Sequence, residues 1–457
     1  MSTIDAEIGT TAGELLVAGE HVITRRSVAS WVMYDLANTI FSMGVVSAFF
    51  PAYVRAGRPA SADVLLGNIT SVSMAIIFVA SPLLGAMTDR ARRRVPFLIA
   101  STLICVLLTA FMGHVQFGLT ATLFILANIA YQAGLQFYDA LLPEVTTEAN
   151  RGKVGGIGVG IGYLGSYIAI GLGFVVAKDS PWVFTYIALL FLLFAIPAFL
   201  FVKERGNPRP QPFSFRMIVE STRETIRTLR ESQRYPGLLR FLIGRMFYTD
   251  AINTVITFML VFTTNMAIAT AGLTEKQAQD KGFMVMAIAI TFAVFGGFAW
   301  GWLSDRIGPK RTLNYVLYIW IVIFTAAALI GIETLPLWTM YVLGSAAGLA
   351  MGGVWAADRP YMLRLTPPAR IGEFYGLYGM VGRFSAITGP FLFGNIAALV
   401  VTRSAPGLNR IETARIAAHS EGVAMVSLLL MVVVSYFILR RVTDSPRIWT
   451  GSDLIRS

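Results

Sequence analysis

Charge is scarce in this chain: only 14% of its 457 residues are Asp, Glu, Lys or Arg, where a soluble protein carries about a quarter. That excludes an ordinary soluble domain. With 55% hydrophobic residues and a mean hydropathy of +0.65, it leaves an integral membrane protein. Cysteine is nearly absent as well. Cys105 alone cannot form an intramolecular disulfide and reads as a small core residue. His21, His114 and His419 are scattered, with no metal-ligand spacing and no nucleophile–base pattern around them. No metal, cofactor or enzyme activity is therefore expected. The glycine-rich runs lack a preceding strand and a P-loop lysine, so they are not nucleotide loops. Residues 1–29 hold Asp5, Glu7, Glu14 and Glu20 and no basic stretch leading into an apolar one, so no cleavable signal peptide is expected. The net charge of +11 does not imply nucleic acid, because apolar runs break up the basic residues.

What the chain has is long apolar segments. They fall at 27–53, 64–87, 95–113, 119–142, 153–177 and 183–202, then at 239–265, 281–303, 312–331, 337–364, 374–401 and 421–441. That makes about twelve spanning helices of roughly 20 residues. The expected division is a tail over 1–26, a six-helix bundle over 27–202, a central loop over 203–238, a second bundle over 239–441 and a tail over 442–457. The stretch 213–234 reads as an amphipathic helix on the membrane surface. Placing both termini in the cytoplasm leaves 26 Lys and Arg in inside segments against 8 outside, which sets that orientation. A cell membrane location is expected, with the lipid bilayer as surroundings and a monomer as the unit.

Polar residues inside apolar spans are costly, so they point to a cavity or a functional pair. Asp35, Asn38 and Ser42 share one face of the first helix. The pattern returns at Asp250 and Asn253, 215 positions later, and marks a tandem duplication. The fourth helix carries a stripe of Asn128, Gln132, Gln136 and Asp139 beside Tyr131. Hydrogen bonding between helices is an alternative use for its amides. The tenth helix presents Trp355 and Arg359 with Asp358 adjacent, an aromatic wall next to a candidate ion pair. Arg245 and Arg383, also inside spans, are candidates for a substrate carboxylate, which a guanidinium binds through two parallel hydrogen bonds. Asp35 and Asp250 are candidates for coupling to protons.

Gly85-Ala-Met-Thr-Asp89-Arg90 and Gly301-Trp-Leu-Ser-Asp305-Arg306 repeat at an offset of 216. Each is followed by a basic cluster, with Arg93 in the first and Lys310 and Arg311 in the second. Glycine here suits a tight turn. Asp at a helix end can meet the N-terminus of a neighbouring helix or an arginine across the gap between the halves. These residues are therefore the expected gate.

The two copies resemble the loop signature of the major facilitator superfamily. Arg92 stands where that signature usually has glycine, and Pro309 interrupts the second basic cluster. WVMYDLANTIF at 31–41, YQAGLQFYDALLPEV at 131–145, KVGGIGVGIGYLG at 153–165 and Asp358–Pro390 resemble one branch of it. That branch is the autophagy-related vacuolar amino-acid effluxers and their bacterial relatives. The resemblance implies an all-α membrane fold of about twelve helices in two pseudo-symmetric six-helix bundles. It also implies alternating access around a central cavity lined by the first, fourth, seventh and tenth helices. The expected function is transport of a small polar organic solute, amino acids or related metabolites, with protons as candidate coupling ions. A sugar–cation symporter of the same fold and a sensor that does not transport are the alternatives.

Overall fold

The computed structural model describes residues 23–57, 62–176, 180–207, 210, 235, 237–401 and 409–443. The amphipathic stretch expected at 213–234 and most of both tails lie outside these residues. In an apolar solvent a backbone must satisfy its own hydrogen bonds, and helices do so within one segment. The described residues are helical throughout their long elements and contain no strand.

The first half opens with α1 (Arg25–Phe41), which runs through a π-helical stretch (Ser42–Phe49) into α2 (Phe50–Gly57). It continues with α3 (Ala62–Arg90), α4 (Val95–Ala110), α5 (Phe117–Asp139), the short α6 (Leu142–Val145), α7 (Arg151–Val175) and α8 (Trp182–Phe201). The second half holds α9 (Leu238–Ala271), α10 (Glu275–Ile307), α11 (Pro309–Ile332), α12 (Trp338–Leu365), α13 (Ile371–Val401) and α14 (Arg410–Leu439). Among the described residues, 10 helical spans are long and apolar enough to cross a membrane; α4 is a shorter apolar helix.

Within the first half α1 packs on α7 and α8, and α5 on α3 and α4; in the second, α9 packs on α10, α13 and α14, and α12 on α10 and α11. The halves meet along two related seams, α3 against α13 and α7 against α10, with α12 also touching α7. Glycine makes both seams possible. A Cβ on Gly85 would collide with the Gly372 carbonyl, and one on Gly156 with the Gly297 carbonyl. The expectation of a turn glycine at 85 is thus corrected: Gly85 lies inside α3, and the missing side chain admits the opposite half.

Packing also brings the polar faces into register. Trp31 stacks on Tyr138 at 4.5 Å between ring centroids, and its Nε1 donates to the Tyr138 carbonyl at 3.3 Å. These contacts tie α1 to the end of α5. Asp35, one turn beyond Trp31, and Asp139, next to Tyr138, consequently open onto one cavity.

Candidate functional site: a polar cavity between the halves

A cavity of about 460 Å³ lies between the halves. Of the residues expected at the site, Asp35, Asn38, Tyr131, Gln132, Gln136, Asp139, Arg245, Asn253, Trp355, Arg359 and Arg383 line it. Three lie elsewhere. Asn128 is fully buried and donates to Ser73 Oγ at 2.9 Å, which joins α5 to α3. Asp250 does not line the cavity; its carboxylate accepts from the Gly389 amide, inside α13, at 2.7 Å. Asp358 is fully buried behind the wall.

The sequence pairs Asp358 with its neighbour Arg359, but the two point to different partners. Asp358 accepts from Arg245 Nε at 2.9 Å, Tyr378 at 2.8 Å and Tyr248 at 2.5 Å. Arg245 also donates to the Tyr378 carbonyl at 3.0 Å, and its guanidinium lies 3.5 Å from that ring's centroid. This arginine is committed to the wall. Arg359 crosses to the other half, with Nε 3.1 Å from Asp139 Oδ1 and Nη1 3.5 Å from Asp35 Oδ2. Neither approach is aligned as a hydrogen bond, so Arg359 Nη1 and Asp139 Oδ1 keep unused capacity.

Arg383 crosses as well. It donates to Ser81 Oγ and, at 3.0 Å, to the Gln132 carbonyl, leaving Nε without a partner. Gly379 and Gly382 make room for these cations: a Cβ at either would lie 2.6 Å from Arg383 Nη1 or 3.0 Å from Arg245 Nη1. Both polar atoms of the Asn38 amide are buried without partners. Buried polar groups are nearly always satisfied, so side chains with unsatisfied atoms gathered around one cavity make it the candidate site for a polar guest.

The sequence reading missed Tyr163, Tyr375 and Tyr378, which also line the cavity. Tyr375 and Tyr378 lie at i and i+3 on the face that carries Gly379, Gly382 and Arg383, so helical spacing back from Arg383 is the signal that could have found them.

At one end of the molecule, called here the basic end, lie the α3–α4 and α10–α11 turns. Asp89 accepts from the Gly372 and Glu373 amides, both at 2.8 Å, at the start of α13. Asp305 accepts from the Gly152 and Lys153 amides at 2.6 and 2.7 Å, at the start of α7. Each carboxylate caps a helix of the opposite half, where unpaired N–H groups and the helix dipole favour negative charge. Asp89 also pairs with Arg94 at 2.6 Å, and Arg93 is exposed. Arg90 is buried, Arg306 lies over the Trp302 ring at 3.8 Å, Lys310 donates to Asn314 at 2.9 Å and Arg311 is exposed. Behind the first clamp, Glu204 accepts from the Arg94 and Val95 amides, both at 2.8 Å. Asn207 donates to the Asp89 carbonyl at 3.0 Å. Glu148 and Arg364 add a further link between the halves at 3.4 Å.

The sequence profile of the family described as "Vacuole effluxer Atg22 like" matches residues 61–400. The chain belongs to this family. Among the relatives of this Atg22-like chain is an uncharacterized MFS-type transporter, YxiO, of Bacillus subtilis (strain 168). It is 26% identical over 392 residues, spanning 81% of this chain and 88% of its own length. The human organic anion transporter MFSD10 is similar in structure, with a TM-score of 0.67 at 15% identity over 91% of this chain and 99% of its own. The major facilitator superfamily proton:xylose symporter XylE superposes with a TM-score of 0.62 at 14% identity over 92% of this chain and 95% of its own. The Atg22-like chain therefore has the major facilitator fold and is a multi-pass membrane transporter of small molecules, not an enzyme.

Proposed function

We propose that this Atg22-like transporter moves zwitterionic solutes of the amino-acid type by alternating access. One observation carries the reading: Asn38, Asp139, Arg359 and Arg383, side chains with unused hydrogen-bonding capacity, line a cavity of balanced charge. Asp358 neutralises Arg245. Asp35 and Asp139 share Arg359, which leaves one negative charge over. Arg383 has polar but uncharged acceptors at Ser81 and Gln132, which leaves one positive charge over. A solute with one carboxylate and one ammonium complements both. Its carboxylate meets Arg383 and its ammonium meets the aspartate pair. Counterflow in proteoliposomes tests this: neutral amino acids should exchange and neutral sugars should not. Exchange of sugars alone would favour the second reading, a carbohydrate symporter, for which the tyrosines and Trp355 of the wall speak.

The basic end faces the cytoplasm in this proposal, with the protein a monomer in the cell membrane. Lys203, exposed at that end, would when replaced by cysteine resist an impermeant maleimide in intact cells; labelling there overturns the orientation. The two clamps hold the cytoplasmic side shut, and the halves rock apart there when the clamps release.

Asp35 is the proposed coupling site. It shares its counter-ion with Asp139, so a proton can replace part of that interaction. Asp35→Asn should abolish uptake driven by a pH gradient, while exchange at equal pH persists with weakened solute affinity, because the same carboxylate helps to hold the ammonium. Gradient-driven uptake that survives in Asp35→Asn removes Asp35 from the coupling.

A further inference from the structure

A second chamber, of about 240 Å³, adjoins the polar cavity, and Thr39, Ser42, Tyr163 and Trp355 belong to both linings. It lies on the side away from the basic end. α1 and α9 start at that end, and their chamber residues Met43 and Met259 come later along the helix than Asp35 and Arg245; α12 runs the other way, and Met351 precedes Arg359.

The lining differs in kind from that of the cavity. Met43, Met259, Met286 and Met351 surround the space with Trp320 and Trp355, and none of its lining residues is charged. The hydroxyls of Thr39 and Ser42 are spent on their own helix, donating to the Asp35 and Thr39 carbonyls at 3.0 and 3.3 Å. The π-helical stretch of α1 supplies Ser42, Met43 and Ser47 to this wall, and such distortions of a helix recur at functional sites. Methionine is unbranched and polarizable, so four of them make a surface that adapts to apolar groups of different shape. Trp320, fully buried, adds its indole to the lining.

We infer that the transported solute carries a flexible apolar tail, whose charged head sits in the polar cavity while the tail fills the methionine chamber. The substrate class is an amphipathic solute with a tail longer than a small amino-acid side chain. A polar cavity already within the usual range of about 300–1,000 Å³ for small-molecule sites has no need of an apolar annex for a small head group alone. Only the chemistry assigned to the head rests on the zwitterion reading.

Homologous ligand series test the inference on the full chain in lipid nanodiscs. Straight-chain 2-amino acids from alanine to 2-aminodecanoic acid form one series; alkylamines and alkanoates of matching length form two others. Binding is measured by equilibrium displacement, with empty nanodiscs correcting for partition into lipid. Affinity should rise about threefold to fourfold per methylene, as burial of one methylene gives, and level off once the chamber is full. Met286→Phe, at a half-buried position, should shorten the tolerated tail and weaken the longest ligands about tenfold, leaving alanine-sized ones unchanged. Met351→Phe repeats the test from another helix. No dependence on chain length in any series overturns the inference, as does equal weakening of short and long ligands in both variants. A slope seen only with alkylamines or alkanoates keeps the tail and overturns the zwitterion reading.

Discussion

Replacing Asp305 by Asn removes the charge from a side chain that closes on the Gly152 and Lys153 amides at 2.6 and 2.7 Å. The asparagine oxygen can accept from one of these amides. Its Nδ2 then meets the other, donor against donor. A hydrogen bond to a charged group contributes about 1.5–3 kcal/mol. Asp305 is only partly buried, and solvent screening reduces the loss to about 1–2 kcal/mol. The bond joins the two halves, so under the proposed cycle it exists only while the basic end is shut. Losing it should shift the ratio of shut to open molecules about 5- to 30-fold toward open. Spin labels at Lys203 and Arg311, exposed positions on opposite halves, report the separation of the basic ends. Asp305→Asn should move the distance distribution to longer values and leave intrinsic ligand contacts alone. An unchanged distribution together with weakened ligand binding would refute the reasoning, because Asp305 would then act on the ligand and not on the gate.

Further outcomes follow from neighbouring contacts. Asp89→Asn should cost more stability than Asp305→Asn, because it also strips the carboxylate from Arg94, which is fully buried and paired at 2.6 Å. An unpaired buried charge costs about 3–5 kcal/mol, so the Tm of Asp89→Asn should fall well below that of Asp305→Asn; equal values would contradict this. Burial raises the pKa of Glu204 above the usual glutamate value, against the lowering effect of the Arg94 and Val95 amides. A raised folded-state pKa gives stability that is present below the unfolded value and lost as pH rises through the folded one. Wild-type protein should therefore lose stability over that window relative to Glu204→Gln, measured by thermal melts at stepped pH; parallel curves would contradict it.

Much of this was legible in the sequence because membrane solvent makes polar residues conspicuous. Asp35, Asp139, Arg359 and Arg383 stand out in apolar spans for that reason, and the cavity gathers all four. The repeat offset exposed both clamp aspartates. Their receiving helices were harder to see, because an amide at a helix start has no side-chain signature; Gly152 and Gly372 are its only trace. Ion pairing was misread where adjacency in sequence stood in for adjacency in space. Successive residues on a helix point about 100° apart, so Asp358 turned inward to Arg245 while Arg359 turned across to Asp35 and Asp139. Asp250 looked equivalent to Asp35 by repeat, yet Gly389, with no side chain to keep it away, brings its backbone amide against that carboxylate. The methionine chamber left no sequence signal, since isolated methionines in apolar helices look like ordinary packing residues.

The central claim is that the charge left over at Arg383 receives the solute's carboxylate. The direct measurement compares equilibrium binding of a neutral amino acid and its methyl ester to wild-type protein and to Arg383→Lys. The ester keeps the ammonium and removes the anion. Wild-type protein should bind the amino acid at least tenfold more tightly than the ester, and in Arg383→Lys, which keeps the charge but loses the planar fork, that preference should shrink severalfold while ester binding stays level. Equal binding of amino acid and ester by the wild type, or an undiminished preference in Arg383→Lys, would contradict the account.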